Sequence, residues 1–542
     1  MTNTMKRLAE RLVGTPRRLW AAAFVIFFAL GAAWSVSTPI GASPDEHAHF
    51  IRAAAVARGQ IDGREVMVPH TVGGIEGDFA ESGVRLPAWY QELKDVNTCY
   101  VFRSEKPASC APALGHSRET TQVTTAAGRY NPAYYLAVGW PSLLVGGVPG
   151  LYLMRLMSAA ICAALVASAV LSAAEWRRRA LPLLGVVVSA TPMSLFMFGV
   201  VNPSGPEIAA GILVWSTVLP VLMAPDPLLL TRRLARLGVG AVVLINIRPL
   251  GIIWFAAAVA AGLLVQQRSA LRAVLRRRSA WLWGLCAGAA VAGALLWQRA
   301  HPDNSVIKVQ GTLTPMLAAR RTFDNSLVYF KQMVGYFGWL DAAPPAATVL
   351  VWIGVVVMLV LLALCFARLR ETLALLAATA GLVVVPVAAQ TAQSDLGMVW
   401  QGRYLLPFAV GLPLMATAVC ALRSPRVGMP WRRLVVLSAF SLAVVNAAAF
   451  VWALRRNTVG ERGPLLMSPA QWAPPGGWPL WVGVYALAAL LLAGLVLALS
   501  KDREPRPGGL PEGQELPEGP GGGAGRGAGG HRRGPTAIPA DA

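Results

Sequence analysis

The chain has 542 residues, of which 55% are hydrophobic and 14% are charged, and its formal net charge is +21. Soluble domains usually carry about 25% charged residues, whereas here the apolar residues form runs close to the ~20 needed to cross a bilayer. This excludes a soluble globular protein, and the positive charge, which lies in short arginine clusters between apolar runs, indicates cytoplasmic loops and no nucleic-acid partner.

The N-terminal third of the chain predicts an anchor followed by a large loop. Residues 1–18 are basic and are expected to stay in the cytoplasm, and Leu19–Ile40 is the first predicted span. A cleaved signal peptide is the alternative, but the run exceeds the usual ~7–15-residue apolar core. Residues 41–130 are mixed in charge and predict an external subdomain, and Pro132–Val148, which prolines interrupt, predicts a helix lying at the outer interface.

The later spans follow from the arginine clusters, which should lie on the cytoplasmic side. The predicted spans are Leu151–Glu175, Leu181–Val200, Ile208–Met223, a hairpin of two short helices within Gly238–Val265, Trp281–Trp297, Ala346–Phe366, Thr372–Ala389, Tyr404–Leu422, Leu434–Ala453 and Pro479–Leu499. We therefore expect an all-α polytopic protein of the plasma (inner) membrane, with about 12 transmembrane helices and both termini cytoplasmic.

Two domain boundaries accompany this topology. The transmembrane domain covers residues 19–499 and includes the external loops 41–130 and 299–345. Residues 500–542 are rich in Gly and Pro and predict a disordered cytoplasmic tail. Cys99 and Cys110 are the cysteine pair of the large loop, and a disulfide is expected if that loop faces an oxidising space.

The first candidate site is the segment Ser43–Phe50, just past the first span. A carboxylate of Asp45 or Glu46 could act as a general base on a hydroxyl group. Asp45, Glu46 and His49 could instead bind a divalent metal ion, or the acids could cap a helix over residues 48–57. The segment alone leaves these alternatives open.

Several arginines are candidates for binding a phosphate. Arg403, followed by Tyr404, lies at the outer mouth of a span, where its fork of donors could hold a phosphate or its side chain could simply reach the interface. Arg248 lies inside an apolar run, where an arginine is expensive and indicates function by default. Arg155 is similar but nearer the surface.

Three further motifs are weak when taken singly. They are Asn131–Tyr135, Asn202–Glu207 and Gly338–Asp341. The predicted topology nevertheless places almost all of these residues on the outer side. Acids, arginines and a broad loop at one leaflet favour a site for a lipid-linked anionic substrate, and no phosphate-binding loop for ATP is present.

The order of these motifs resembles the GT-C glycosyltransferase superfamily. Pro44-Asp45-Glu46-x-x-His49 is similar to its first-loop acidic motif, and Asn131–Tyr135 to its His-Pro-Pro-Leu-Tyr-Tyr segment, with Asn131 in place of the His. Leu153–Leu156 resembles its Leu-Arg-Leu-Pro motif. With the later motifs included, roughly residues 20–450 resemble one bacterial branch of predicted membrane proteins of unknown function. The later motifs are Asn202-Pro203, which lacks an Asp that related members often have next, Arg248-Pro249 and Gln401–Tyr404.

The resemblance implies a substrate class and roles for these residues. GT-C enzymes transfer a sugar from a polyprenyl phosphate, usually with inversion, on the outer side of the membrane. By this resemblance the acceptor is a cell-envelope glycan or glycolipid, and Asp45 is the base with Glu46 as its helper or a metal ligand. The resemblance makes Arg155, Arg248 and Arg403 candidates for the donor phosphate. The predicted substrate contacts also include His49, Asn131, Tyr134 and Tyr404, and no cofactor is predicted apart from the open divalent metal.

Two other classes of function compete with this interpretation. A transporter or flippase of a lipid-linked saccharide would need a polar pathway through the membrane, whereas these spans are mostly Ala, Leu and Val and show no repeat. A non-catalytic membrane scaffold would have no reason to bring Asp45 and Arg403 together.

Overall fold

The computed structural model describes residues 13–72, 75–302, 304–308, 313–425 and 430–500. The predictions for residues 1–12 and for the tail beyond Ser500 lie outside these ranges. The described chain is mostly helical, as predicted. Its helices are α1 Pro16–Ser37, α2 Glu46–Ala57, α3 Trp89–Glu92, α4 Pro132–Gly139, α5 Pro141–Leu144, α6 Gly147–Ala174, α7 Ala180–Ser189, α8 Pro192–Phe198, α9 Ser204–Met223, α10 Leu230–Ile247, α11 Gly251–Leu264, α12 Arg268–Leu275, α13 Arg278–Ala300, α14 Pro315–Asp324, α15 Ser326–Val334, α16 Ala346–Phe366, α17 Leu369–Ala392, α18 Leu406–Ala409, α19 Gly411–Arg423, α20 Trp431–Val459 and α21 Trp478–Ala498.

Within the described ranges, nine helical segments are long and apolar enough to cross a membrane. They are α1, α6, α9, α13, α16, α17, the segment Gly402–Arg423 that includes α18 and α19, α20 and α21. The pair α7 and α8, bent by 68°, makes a tenth if it is one broken span. These ten coincide with ten of the predicted spans, and the other two are the halves of the predicted hairpin.

The predicted hairpin is a pair of helices that breaks where the sequence indicated. Helix α10 ends at Ile247, and α11 begins at Gly251. Arg248 is extended, with φ −147° and ψ 156°, because the ring of Pro249 disfavours helical backbone in the residue before it. Only α11, with 14 residues, counts as a shorter apolar helix, since α10 begins with charged residues.

The segment predicted to lie at the outer interface consists of two short helices. Helix α4 ends at Gly139, α5 covers Pro141–Leu144, and α6 then begins at Gly147, four residues before the predicted start of that span. Trp140 and Leu144 in this segment are exposed apolar side chains. An exposed apolar surface between two prolines fits a segment lying along a bilayer surface.

The large loop contains a small antiparallel sheet that the all-α prediction did not include. Strands β1 Arg64–Val72, β2 Ile75–Pro87 and β3 Thr120–Thr125 pair in that order, and β4 Val306–Lys308 pairs with β2. The fourth strand comes from the second predicted external loop, so the two loops form one subdomain. Cys99 and Cys110 are joined by a disulfide in the same subdomain.

The core of the helical part is centred on α9, whose apolar window is completely buried. Small residues allow close packing around it and around α1. A Cβ atom on Gly31 would lie 3.1 Å from Cβ of Ala159 in α6, and the backbone of Gly199 approaches the carbonyl oxygen of Gly31. Close helix approach through small residues is typical of membrane bundles. It brings the end of α1 against α6 and α8, and Glu46 at the start of α2 against Arg155 of α6.

Candidate functional site

Asp45 immediately precedes α2, which begins two residues before the predicted helix. Its backbone has φ 60° and ψ 3°, a left-handed conformation that is uncommon outside glycine. Its side chain makes no hydrogen bond to the helix, so the structure contradicts the capping alternative for this acid. The side chain is 52% exposed, and Oδ2 lies 3.2 Å from Nη2 of Arg403.

Glu46 points into the protein and forms a buried ion pair with Arg155. Nε of Arg155 donates to Oε1 at 2.8 Å, the backbone N–H of Val201 donates to the same oxygen at 3.1 Å, and both charged side chains are 0% exposed. Arg155 uses its remaining donors on Glu46 and on carbonyl oxygens at the end of α1 and just beyond it. All five donors of the guanidinium are therefore occupied. We correct two predictions: Arg155 has no donor for a phosphate, and Glu46 is a structural residue.

Arg403 is buried, and part of its guanidinium has no partner. The residue lies in the 3₁₀ turn Gly402–Leu405 and is 2% exposed. Nη2 contacts Asp45 and the hydroxyl of Tyr404, at 3.4 Å, whereas Nε and Nη1 are buried without a hydrogen-bond partner. Leaving charged donors unsatisfied in the interior is costly, so these groups favour an acceptor that comes from a ligand.

Neighbours of these two residues along the chain also have buried polar atoms without partners. They are Oγ of Ser43, Nδ1 of His47, Nε1 of Trp400 and Oε1 of Gln401. Asp45 and Arg403 are thus flanked by both donors and acceptors that no protein group satisfies. Buried polar atoms normally have partners, so these atoms, together with Nε and Nη1 of Arg403, favour a polar ligand beside the pair.

Two buried glutamines hold the segment that carries Arg403. Oε1 of Gln390 accepts from the backbone N–H groups of Val399 and Trp400, both at 2.9 Å, and Oε1 of Gln332 accepts from the N–H of Gly402 at 2.7 Å. Gly402 lies so close to α15 that an added Cβ would overlap the carbonyl oxygen of Tyr329. The position of the guanidinium is therefore set by α15 and α17 together.

The ring of Tyr404 connects Arg403 with Arg248. The two guanidinium carbons lie 5.2 Å and 4.7 Å from its centroid, which is the range of cation–π contacts. Arg248 also donates to the hydroxyl of Tyr130 at 3.3 Å and lies 3.7 Å from the carboxylate of Glu207. The structure thus brings both arginines to one aromatic ring beside Asp45.

His49 borders this group from the interior side of α2. Its Nδ1 lies 2.9 Å from the hydroxyl of Tyr135, and its ring packs edge-on against Tyr130 at 5.5 Å between centroids. Burial lowers the pKa of His49 from 6.5 to about 3, so the imidazole is neutral near pH 7. His49 therefore contributes a hydrogen bond and packing rather than a charge.

Asn131 and Tyr134 do not join the group around Asp45. Oδ1 of Asn131 accepts from the backbone N–H of Ala133 at 3.0 Å and caps α4. The hydroxyl of Tyr134 lies 3.0 Å from Oγ of Ser158 in the buried core. We therefore correct the prediction that Tyr134 contacts substrate, because its hydroxyl is used in the core, whereas the contact predicted for Asn131, whose Nδ2 lies 3.5 Å from Oδ1 of Asn246, stays a prediction.

The metal alternative finds no geometric support in the described ranges. No group of three or more His, Cys, Asp or Glu side chains that could hold a metal ion occurs there. The sequence offered Asp45, Glu46 and His49 as metal ligands. These side chains do not converge, because Glu46 is turned away from Asp45 toward Arg155.

Tyr130 takes part in the site although the sequence did not single it out, and Glu207, the acid of the weak motif Asn202–Glu207, joins the site as a partner of Arg248. Tyr130 contacts both Arg248 and His49, and Glu207 is the acid nearest to Arg248. An arginine inside an apolar run normally has a nearby acid, and this rule could have pointed to Glu207. No local pattern distinguishes Tyr130 from other interfacial tyrosines.

Comparison with known proteins places the chain in a family. No curated protein matches the chain. Residues 28–412 match the family model described as "Predicted membrane protein (DUF2142)", which covers all residues of the site discussed above. The matched segment is well over half of the chain, and the chain therefore belongs to this family of predicted membrane proteins.

Proposed function

We propose that the protein is a membrane glycosyltransferase that moves a sugar from a polyprenyl-phosphate donor to a glycan or glycolipid acceptor of the cell envelope. In this proposal the site faces the outer side of the plasma membrane, and both termini are cytoplasmic. The resemblance of the ordered motifs to GT-C enzymes gives the reaction class. The contact between Asp45 and Arg403 gives the two roles that the reaction requires.

The observation that carries the proposal is the unequal environment of this ion pair. Asp45 is half exposed, whereas Arg403 is buried with Nε and Nη1 unpartnered. A pair that served only stability would be expected to use these donors within the protein, as Arg155 does. The juxtaposition also disfavours a non-catalytic scaffold, which has no need for an exposed acid beside a buried, partly unsatisfied arginine.

The chemistry assigns one step to each group. The phosphate of the donor accepts hydrogen bonds from Arg403, and Arg248 adds positive charge on the other side of Tyr404. Asp45, released from Arg403, takes the proton of the acceptor hydroxyl. The acceptor oxygen bonds to the anomeric carbon as the bond from that carbon to the phosphate oxygen breaks. The electron pair leaves with the polyprenyl phosphate, whose added charge the arginines stabilise.

A transfer assay tests the proposal directly. Purified protein in lipid nanodiscs is given polyprenyl-phosphate-linked radiolabelled sugars and envelope glycan, and labelled product is measured. We expect Asp45→Asn to lower the rate by about 10²–10⁴-fold, because general-base catalysis is lost. Asp324→Asn is the matched control, since that acid is 64% exposed on α14. Unchanged transfer by Asp45→Asn contradicts the role of Asp45, and no transfer by the wild type from any donor contradicts the function.

A further inference from the structure

An exposed and a partly exposed aromatic side chain meet beside the start of α2. Phe102 is 70% exposed, and its ring centroid lies 6.4 Å from that of the partly exposed Trp339. Phe102 has φ 58°, which is an outlier for a bulky residue. Backbone strain of this kind persists only where the surroundings impose it, and it concentrates at functional sites.

A buried carboxylate imposes this arrangement. Oδ2 of Asp341 accepts from the backbone N–H of Phe102 at 3.2 Å, and Oδ1 accepts from the backbone N–H of Trp339 at 3.1 Å. Asp341 is itself held by Arg456 at 2.6 Å, with both side chains buried. Two loops far apart in sequence are therefore fixed so that both rings are displayed together. Aromatic residues that only anchor a protein in headgroups need no such fixed pairing.

The same rings adjoin Asp45 through His47. The rings of His47 and Trp339 are nearly parallel, at 13°, with centroids 6.1 Å apart. Nε1 of Trp339 donates to the carbonyl oxygen of Gly41 at 3.0 Å, which ties the ring to the segment before Asp45. Nδ1 of His47 is buried without a partner. We refer to Phe102, Trp339 and His47 as the aromatic platform.

We propose that the aromatic platform binds a sugar ring of the acceptor saccharide next to Asp45. The inference rests on the proposed function and assigns it an acceptor subsite. The C–H groups on the flat face of a pyranose carry partial positive charge and pack against the negative face of an aromatic ring. Sugar hydroxyls at the edge of the ring can reach polar groups such as those of His47 and Asp45. Aromatic surface with a few convergent polar groups is typical of small-molecule sites.

Saturation-transfer NMR on the full chain in nanodiscs tests the platform without requiring catalysis. The probes are neutral trisaccharides of glucose, mannose, galactose and arabinose. We expect saturation to reach the sugar C–H protons in the wild type and the apparent affinity to fall roughly three- to tenfold in each of Trp339→Leu and Phe102→Asn. Asn is chosen at position 102 because it tolerates left-handed backbone and keeps the N–H that Asp341 binds.

Matched controls carry the same substitutions at exposed aromatic residues elsewhere. They are Trp140→Leu beside α4 and Phe323→Asn on α14, and both should bind as the wild type does. The proposal is wrong if no trisaccharide receives saturation, or if the platform variants and the controls lose the same signal. Brominated lipids give a second check, because they quench the fluorescence of a tryptophan that lies in lipid. If they quench a fluorescence component that Trp339→Leu lacks, the ring of Trp339 lies in lipid and the proposal is wrong.

The outcome separates the platform from the transferase proposal. Asp45→Asn should lower transfer by about 10²–10⁴-fold, whereas Trp339→Leu and Phe102→Asn should weaken trisaccharide binding, which the NMR measurement detects without any transfer. Saccharide binding that depends on Trp339, in a protein that never transfers sugar, keeps the platform as a saccharide site and contradicts the proposed reaction. Sugar transfer by the wild type, with the same trisaccharide affinity in the platform variants as in the wild type, supports the proposed reaction and contradicts the platform.

Discussion

At the scale of single residues, Asp45 and Glu46 show how adjacent carboxylates acquire different roles. The left-handed backbone at Asp45 turns its carboxylate outward, while Glu46 occupies the first turn of α2 and points toward α6. A charge with no water around it must be paired, and Glu46 and Arg155 pair with each other while backbone groups satisfy the rest of their hydrogen-bonding capacity. Only Asp45 retains the exposure that a base acting on a substrate requires.

The buried pair makes a prediction about stability. Glu46→Gln leaves the charge of Arg155 buried without its partner and should lower the free energy of unfolding by about 3–5 kcal/mol. The measurement is the thermal unfolding midpoint of the purified protein in detergent. Asp324→Asn is the control, because its ion pair with Arg320 is 3.9 Å long and exposed, and such pairs contribute at most about 1 kcal/mol. Equal effects of the two variants would show that the buried pair is not structural.

His49 makes a prediction about pH. Its folded-state pKa, about 3, lies below the unfolded value of 6.5, so the unfolded chain binds more protons between these values. The contribution of a neutral His49 is complete above pH 6.5 and is lost as the pH falls toward 3. His49→Gln should therefore lose less thermal stability between pH 8 and pH 5 than the wild type loses, as measured by unfolding midpoints. The same loss in both proteins would contradict the assigned environment of His49.

At the scale of elements, the position of Arg403 depends on α15 and α17. Gln332 and Gln390 hold the backbone that leads into the 3₁₀ turn, and Gly402 makes the close approach to α15 possible. None of these residues contacts the guanidinium in the described structure. They act by setting where the guanidinium lies relative to Asp45.

This arrangement predicts that a methyl group can misplace the site. Gly402→Ala should shift the turn away from Tyr329 and lower sugar transfer by about 10²-fold, the cost expected for a displacement near 1 Å. The transfer assay and the unfolding midpoint are measured together. Gly354→Ala in α16 is the matched control, because a Cβ there meets nothing within 4 Å. Full activity of Gly402→Ala would mean that the turn is not what positions Arg403.

At the scale of the whole molecule, the topology makes an independent prediction. Ser117→Cys in the large loop should react with a membrane-impermeant maleimide on intact cells, whereas Thr231→Cys at the start of α10 should react only after permeabilisation. Both positions are exposed, and labelling of the unmodified chain gives the background. The reverse pattern would place the proposed site on the cytoplasmic side and contradict the outer location of the donor.

The sequence was sufficient to predict the long apolar helices because hydropathy and arginine position act locally. Arginine clusters bounded the spans, and Pro249 marked the break between α10 and α11. The sheet of the large loop was missed because its strands pair over long distances, and β4 comes from residues 306–308. Pairing of that kind depends on how the two loops meet, which no local pattern records.

The candidate site was predicted less completely, for a related reason. Arg155 and Arg403 have similar surroundings in sequence, each close to the outer end of a predicted span. They differ in whether the fold supplies acceptors: carbonyl oxygens at the end of α1 reach Arg155, and none reaches Nε or Nη1 of Arg403. Such differences arise only when distant segments pack, so the sequence could name the arginines but could not rank them.

Binding of polyprenyl monophosphate to the purified protein distinguishes Arg403, which is proposed to hold the lipid phosphate, from Asp45, which is proposed to be a separate base. Arg403→Gln should bind this lipid at least about tenfold more weakly than the wild type, because a charge-assisted contact is lost. Asp45→Asn should bind it as tightly or more tightly, because a competing negative charge is removed. Unchanged binding by Arg403→Gln, or equal loss in both variants, would contradict the phosphate-binding role of Arg403 and leave the pair with a structural role.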